Sequence, residues 1–440
     1  MDFEAQRVIE ALRSGVSSRS VGHYFSSARP ELMQELSRKM DRVINTEESS
    51  GMVISGKYGE GKTHLLNTMF NLAQNNNMVV SLVSLSKETP FDKLYLVYQK
   101  LISNTYLPQR LQPGFQHVLQ DITPNSPIAQ DIISFTSKHL KTDKLFYVFR
   151  SYLNVDDPDE KYLLMADLEG DFINNSRLRQ IYKRIFAQPV RYAVPFSKSR
   201  HSMDYLSMLS HLFKLLGYNG WVILFDETEL LGRLGKKARL TAYKNMASFL
   251  FPEQYSRLES TFTMFALGAS YVEDVVESKH DFENMTTVYV DRAQREPIEK
   301  VLNHIIAAPQ LQPLNQDEIL GVLEQVQVFH GRAYGWAPQL DVHEVLKATE
   351  TRGYLLRTRI RAAVELLDQL YQYGQAGNIQ INDLGEPHYL EDDLPSLDEC
   401  IQEWCRNELY SHTMFPCHCL WRMTADARFC HQAVFACWQS

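Results

Sequence analysis

An α/β fold, a parallel sheet carrying a phosphate loop, interrupted by a large helical insertion and closed by a C-terminal helical lid, is the class this sequence predicts, and three observations predict it. Residues 56–63 read Gly-Lys-Tyr-Gly-Glu-Gly-Lys-Thr, a full G-x-x-x-x-G-K-[ST] loop set between a strand-like run and a helix-like one. Short apolar, β-branched runs recur up to residue 290 with helix-periodic stretches between them, the pattern of parallel strands joined by crossovers. Elsewhere, over residues 103–202 and 296–373, helical spacing continues with no convincing strand.

The elements follow in chain order. Val8, Ile9, Leu12 and Val16, then Leu32, Leu36, Met40, Val43 and Ile44, predict two helices in residues 1–45, joined by a loop at residues 26–30. Met52, Val53 and Ile54 end a buried strand, and the loop starts where that strand stops. After Thr63, apolar Leu65, Leu66, Met69, Phe70 and Ala73 recur at helical spacing, so the first-turn N–H groups of a helix point back at the loop. Gly56, Gly59 and Gly61 let the backbone curl around an anion, with Glu60 and His64 flanking the contact. Lys62 is placed to reach β- and γ-phosphates, and Thr63 to ligate Mg²⁺. A chance match in a glycine-containing turn is the alternative; strand, loop and helix in register argue against it. The pattern implies a bound nucleoside triphosphate.

A second strand is predicted over residues 78–85 and a helix over 91–101. A third strand, residues 221–225, ends in Asp226-Glu227, a fourth covers 262–267 and a fifth 287–290. The domain plan is therefore N-terminal helices (1–45), a phosphate-loop α/β domain (46–295) with its helical insertion at about 103–202, a helical lid (296–373), and a linker with a cysteine-bearing tail (374–440). No internal repeat is present in the sequence.

Four apolar residues followed by two acids have the form of a Walker B element. Asp226 would hold the water shell of Mg²⁺, and Glu227 would polarise the attacking water at the carboxyl edge of the sheet. Two solvated acids closing a strand are the alternative. Glu229, two residues on, is read as structural or interfacial. Ser270, after the fourth strand, would orient water or sense the γ-phosphate, and equally caps a helix. Among Arg357, Arg359 and Arg361 in the lid, Arg357 is the choice to reach back to the γ-phosphate, with Arg359 in reserve; ordinary surface arginines are the alternative. Arg233, Arg239 and Arg292 are candidates for a finger given to a neighbouring subunit.

Seven basic residues (Arg177, Arg179, Lys183, Arg184, Arg191, Lys198, Arg200) and no acid lie in residues 177–200, interleaved with Tyr182, Phe186, Tyr192 and Phe196. In a chain of net charge −8 that is a local reversal of sign. Phosphate-tracking cations with aromatics for stacking suit a DNA contact. A basic helix face with buried aromatics, or a dock for an acidic partner, is the alternative. Bulk electrostatics exclude a nucleic-acid-coating protein, so any such contact is focal. The acidic start and the lack of an 18-residue apolar run predict a cytoplasmic protein with no membrane contact. All six cysteines (Cys400, Cys405, Cys417, Cys419, Cys430, Cys437) fall in the last 41 residues, at spacings that match no common zinc pattern.

Residues 4–15 (Glu-Ala-Gln-Arg-Val-Ile-Glu-Ala-Leu-Arg-Ser-Gly), 59–66 (Gly-Glu-Gly-Lys-Thr-His-Leu-Leu), 221–231 with their Asp-Glu-Thr-Glu-Leu, and 356–365 together resemble the BREX-type, BrxD-like ATP-binding proteins of bacterial phage-defence islands, over roughly residues 4–373. The resemblance implies an AAA+ P-loop ATPase related to origin-recognition ATPases, using ATP and Mg²⁺ beside other defence proteins such as a helicase or methyltransferase. The long insertion and the tail after about residue 390 depart from that pattern. The expected activity is ATP hydrolysis that assembles or remodels a DNA-associated complex, in a homo-oligomer. A slow ATP-dependent switch that docks a partner protein, or a small-molecule kinase, are the rivals.

Overall fold

β-branched and aromatic runs that are apolar on both faces can only be buried between two layers of helix, and that is how the sheet sits. In the computed structural model β1 (Ser50–Gly56), β2 (Val79–Ser84), β3 (Thr105–Tyr106), β4 (Trp221–Asp226) and β5 (Thr261–Gly268) stand in the order β1-β5-β4-β2-β3. The pairs β1–β5, β5–β4 and β4–β2 are parallel, from Ser50 opposite Phe262 to Gly56 opposite Gly268 at one edge. β3 runs antiparallel to β2, with Val80 opposite Tyr106; two residues are too few to leave a periodic signal. The structure describes residues 2–26, 29–110, 112–120, 122–350 and 355–377, so the cysteine-bearing tail and the acidic stretch at 391–393 lie outside the described residues.

Helices α1 (Phe3–Ser14), α2 (Arg19–Tyr24) and α3 (Pro30–Thr46) precede β1, and α4 (Lys62–Asn75) follows it. The extra short helix arises where Ser18 caps the Val21 N–H. After β2 come α5 (Leu94–Ser103) and, between β3 and β4, α6 (Gln116–Gln120), α7 (Pro127–Lys138), α8 (Lys144–Asn154), α9 (Pro158–Ala166), α10 (Asn175–Phe186) and α11 (Lys198–Leu215). Next are α12 (Lys236–Leu250) and α13 (Pro252–Tyr255), then, after β5, α14 (Asp281–Val288), α15 (Arg292–Ile306), α16 (Gln316–Tyr334), α17 (Val342–Glu350) and α18 (Leu356–Tyr373).

The fifth strand expected at residues 287–290 does not form. α14 runs through its first half, Thr286 and Thr287 hydroxyls bond back to the Glu283 and Asn284 carbonyls, and Val290 is 88% exposed. Local β propensity lost to a helix whose Met285 is buried. The place beside β1 is taken by residues 309–311, through a single parallel bridge, with Ser55 N–H donating to Pro309 O (3.0 Å) and Leu311 N–H to Ser55 O (2.7 Å).

Three apolar cores hold these elements. One face of the sheet packs Phe225 and Phe265 against Phe91, Phe249 and the insertion helices, and the other packs Val80, Leu224 and Met264 against Leu36, Leu66 and Met69. The third core joins Ala5, Val8, Ile9 and Leu12 of α1 to Val326 and Phe329 of α16 and to Ala362, Ala363 and Leu366 of α18. Arg13 fastens that union, donating to Asp368 (2.8 and 3.0 Å) and Tyr334 (2.9 Å), while Asp368 also takes His330 Nε2 (3.0 Å). α2 lies directly on α4: a Cβ at Gly22 would come 2.7 Å from Asn67 Cβ. None of the described helices is long and apolar enough to cross a membrane.

Candidate functional site

The parallel strands all present their carboxyl ends at one edge, and the chemistry of the sequence gathers there. β1 ends at Gly56, and the backbone turns through Gly59 (φ +80°) and Gly61 (φ +97°), conformations that a side chain would strain. α4 begins at Lys62, so its N-terminal amides face the loop. Lys62 Nζ donates to the Gly56 carbonyl (2.8 Å) across the loop. Glu60 is buried and turns its Oε2 onto the Lys57 amide (2.9 Å), which makes it a brace of the loop's shape. His64 Nε2 donates to the Phe25 carbonyl (3.0 Å), which only accepts, and burial holds the imidazole below its ordinary pKa, hence neutral.

β5 lies between β1 and β4, so the two acids at the end of β4 face the loop across one strand. Asp226 is buried, and its Oδ1 accepts the Glu227 N–H (3.0 Å). Glu227 has φ +55°, a left-handed conformation that costs a non-glycine residue about 1–3 kcal/mol and that clusters at functional sites. The turn throws its carboxylate into the cleft. The desolvating walls there, then the Asp226 charge, raise its pKa above the ordinary glutamate value. Glu229, read from sequence as structural, lines the same cleft, 6% exposed, and burial pushes it to about 7.

A single cleft is lined by Gly59, Gly61, Lys62, Thr63, His64, Asp226, Glu227, Glu229 and Arg357. Apolar side chains also line it: Leu12, Val16, Val21 and Phe25 from the N-terminal segment and Val322 and Ile360 from α16 and α18. Arg357 donates to the Gly15 carbonyl (2.6 Å) and to the Tyr58 hydroxyl (2.6 Å), tying α18, α1 and the phosphate loop together. Ser270 follows β5 at the same sheet edge without lining the cleft. Arg29, Tyr58 and the apolar lining were not legible in the sequence. Arg29 donates to the Glu60 carbonyl (2.8 Å) and the Gln312 carbonyl (3.0 Å), bridging loop and lid, a contact no spacing rule encodes.

Among the residues lining the cleft, the Thr63 hydroxyl and the Asp226 carboxylate offer hard oxygen donors. Among the described residues no group of three or more His, Cys, Asp or Glu side chains is arranged to hold a metal by itself. Both facts fit Mg²⁺, which is bound by one or two protein ligands plus substrate phosphates and its own waters.

One expectation is corrected. Arg239 is 2% exposed and spends its guanidinium on Asp281 (2.8–3.1 Å) and the Leu234 carbonyl (2.6 Å), while the Tyr243 hydroxyl donates to Asp281 (2.8 Å). A buried, bidentate arginine cannot serve as a finger for another subunit. In the basic segment Tyr182 is buried against Arg150, while Phe186, Tyr192 and Phe196 are half-buried, Phe186 lying under the Arg150 guanidinium (4.3 Å), Tyr192 under Arg179 (5.3 Å) and Phe196 under Lys144 (4.3 Å). Arg177 and Arg184 pair with Glu160. Lys183, Arg191 and Arg200 are exposed.

A family model described as BREX system ATP-binding protein BrxC/D matches residues 2–137 and 164–382. The gap between the two matched stretches falls inside the helical insertion and contains α8. No curated protein matches the chain. Among solved structures it is similar to the Walker-type ATPase of Pyrococcus abyssi, with 16% identity, 78% of this chain and 67% of that one covered, and a TM-score of 0.34. A likeness that slight leaves the fold to be argued from this chain's own sheet.

Proposed function

The chain belongs to the BREX system ATP-binding protein BrxC/D family and is an ATPase; from that premise we propose that it hydrolyses Mg-ATP in this cleft to assemble or remodel a DNA-associated complex in antiphage defence. The observation that carries the reading is the convergence of Lys62, Thr63, Asp226, Glu227 and Arg357 on one cleft from three separate stretches of chain. Lys62 and the α4 amides take the phosphates. Thr63 and Asp226 hold the divalent cation, which supplies charge neutralisation on those phosphates. Glu227 accepts the proton of the attacking water. The apolar lining receives the base, and Arg357 reports the γ-phosphate to the lid and α1 through its bonds to Tyr58 and Gly15.

Lys62→Ala is expected to weaken ATP binding, because one charge-assisted hydrogen bond to phosphate is worth about 1.5–3 kcal/mol, roughly 10- to 100-fold in Kd. Titration with a fluorescent ATP analogue checks it, and an unchanged Kd removes the loop from the site.

In this reading DNA is held through phosphate contacts, with Phe186, Tyr192 and Phe196 each already lying against a cation of the chain. Neutralising Lys183, Arg191 and Arg200 together is expected to weaken duplex binding and to flatten its log–log salt slope by about one unit per residue. An unaltered slope places DNA elsewhere. The burial of Tyr182 and the pairing of Arg177 and Arg184 with Glu160 also favour a second reading, a slow ATP-dependent switch that docks a partner protein. Turnover measured with and without duplex and single-stranded DNA separates the two: stimulation supports remodelling on DNA, and a flat, slow rate supports the switch.

A further inference from the structure

One acid of the cleft has no task in the scheme above. Glu229 stands on the short helical turn at residues 228–233 that follows β4, three residues beyond Asp226. Its side chain is buried, lines the cleft beside Lys62, Thr63, Asp226 and Glu227, and carries an Oε2 with no hydrogen-bond partner. Its own backbone N–H favours the ionised carboxyl, against the larger effect of burial. A buried carboxylate oxygen left without a donor costs stability, so a fold retains one where something outside the protein supplies the donor.

The chemistry of the surroundings says what that donor is. The Lys62 charge favours the ionised form of Glu229, but its ammonium is directed to the Gly56 and Lys57 carbonyls and, in the reading above, to phosphate. Asp226 and Glu227 are acceptors and cannot satisfy a third carboxylate. While ionised, Glu229 repels an anionic phosphate. A water of a hydrated divalent cation is neutral, strongly polarised and rich in O–H donors, and Mg²⁺ keeps several such waters when protein-bound.

We propose that Glu229 is a positioning residue for the metal: its unpaired oxygen accepts a hydrogen bond from a water of the cation held by Thr63 and Asp226, and so orients the hydrated ion against the phosphates. The inference rests on the Mg-ATP reading of the cleft and extends it to a residue outside the Asp-Glu pair. Outer-shell partners of this kind typically change metal affinity by 10- to 100-fold when removed.

The test uses the full chain and mant-ADP, which needs no turnover, titrated with MgCl₂ and, separately, in EDTA. Glu229→Gln is expected to raise the half-saturating Mg²⁺ concentration about tenfold while leaving the metal-free affinity for mant-ADP unchanged. Glu229→Asp, which keeps the charge and shortens the reach, is expected to fall between wild type and Glu229→Gln. An unshifted Mg²⁺ dependence in Glu229→Gln overturns the assignment, as does an equal loss of affinity with and without metal, which would mark a purely structural acid. Should Glu229→Gln not fold, the Asp variant decides alone, a Mg²⁺ midpoint equal to wild type counting against the proposal. If wild type itself binds mant-ADP without regard to Mg²⁺, the metal reading of the cleft falls first.

Discussion

Glu227→Gln is expected to bind ATP as wild type does and to lose turnover by about 10²–10⁴-fold, the usual contribution of a positioned general base. Gln has the shape of Glu and cannot accept a proton, so binding and catalysis part company only if the carboxylate acts on water. The backbone supports that division: Glu227 sits at φ +55° with its N–H on Asp226, and the same turn can carry Gln with the same strain. A pH signature comes with it. Burial and the Asp226 charge raise the folded-state pKa of Glu227, and a base works only when ionised. The wild-type rate should therefore fall as pH drops through that raised pKa, at a pH above the ordinary glutamate range, and the residual rate of the variant should lack that limb. Phosphate release measured from pH 5 to 9, beside ATP affinity, reads both. Retained hydrolysis in Glu227→Gln removes the base assignment.

Arg239→Ala is expected to destabilise the folded chain by about 3–5 kcal/mol, because it strands Asp281 as an unpaired charge in a site with 0% exposure. The Tyr243 hydroxyl would remain its only side-chain donor from this network. Replacing both partners, Arg239→Met with Asp281→Leu, should recover part of the loss, since two apolar groups leave no buried charge uncompensated. Urea denaturation of the three variants measures it. A trans-acting finger predicts the opposite pattern: full stability, and activity restored when the variant is mixed with subunits whose own phosphate loop is disabled. Such complementation would reverse the correction drawn from the geometry.

The two predictions mark how far the sequence could be read. The nucleotide loop is contiguous, and its flanking strand and helix announce themselves by residue periodicity, so the loop, α4, β1, β2, β4 and β5 were legible. Asp226 and Glu227 were legible because four apolar residues and two acids occupy consecutive positions. β3 was too short to register, and residues 287–290 misled because β-branched propensity is a weak prior that packing of α14 overrides. Arg239 and Arg233 look alike as residues in a sequence; only burial against Asp281 distinguishes the first.

By itself the sequence determined the phosphate-binding loop, the acids that follow the third predicted strand and the α/β class, since each is written in neighbours a few positions apart. Tertiary structure alone decided that α1 shares its core with α16 and α18, that Arg29 spans loop and lid, that Tyr182 of the basic segment is buried, and that Glu229 ends buried with one oxygen unmatched. Those features join residues as far as 355 positions apart, as Arg13 and Asp368 are. Burial and long-range pairing depend on which surfaces the whole chain brings together, a quantity that no local spacing contains.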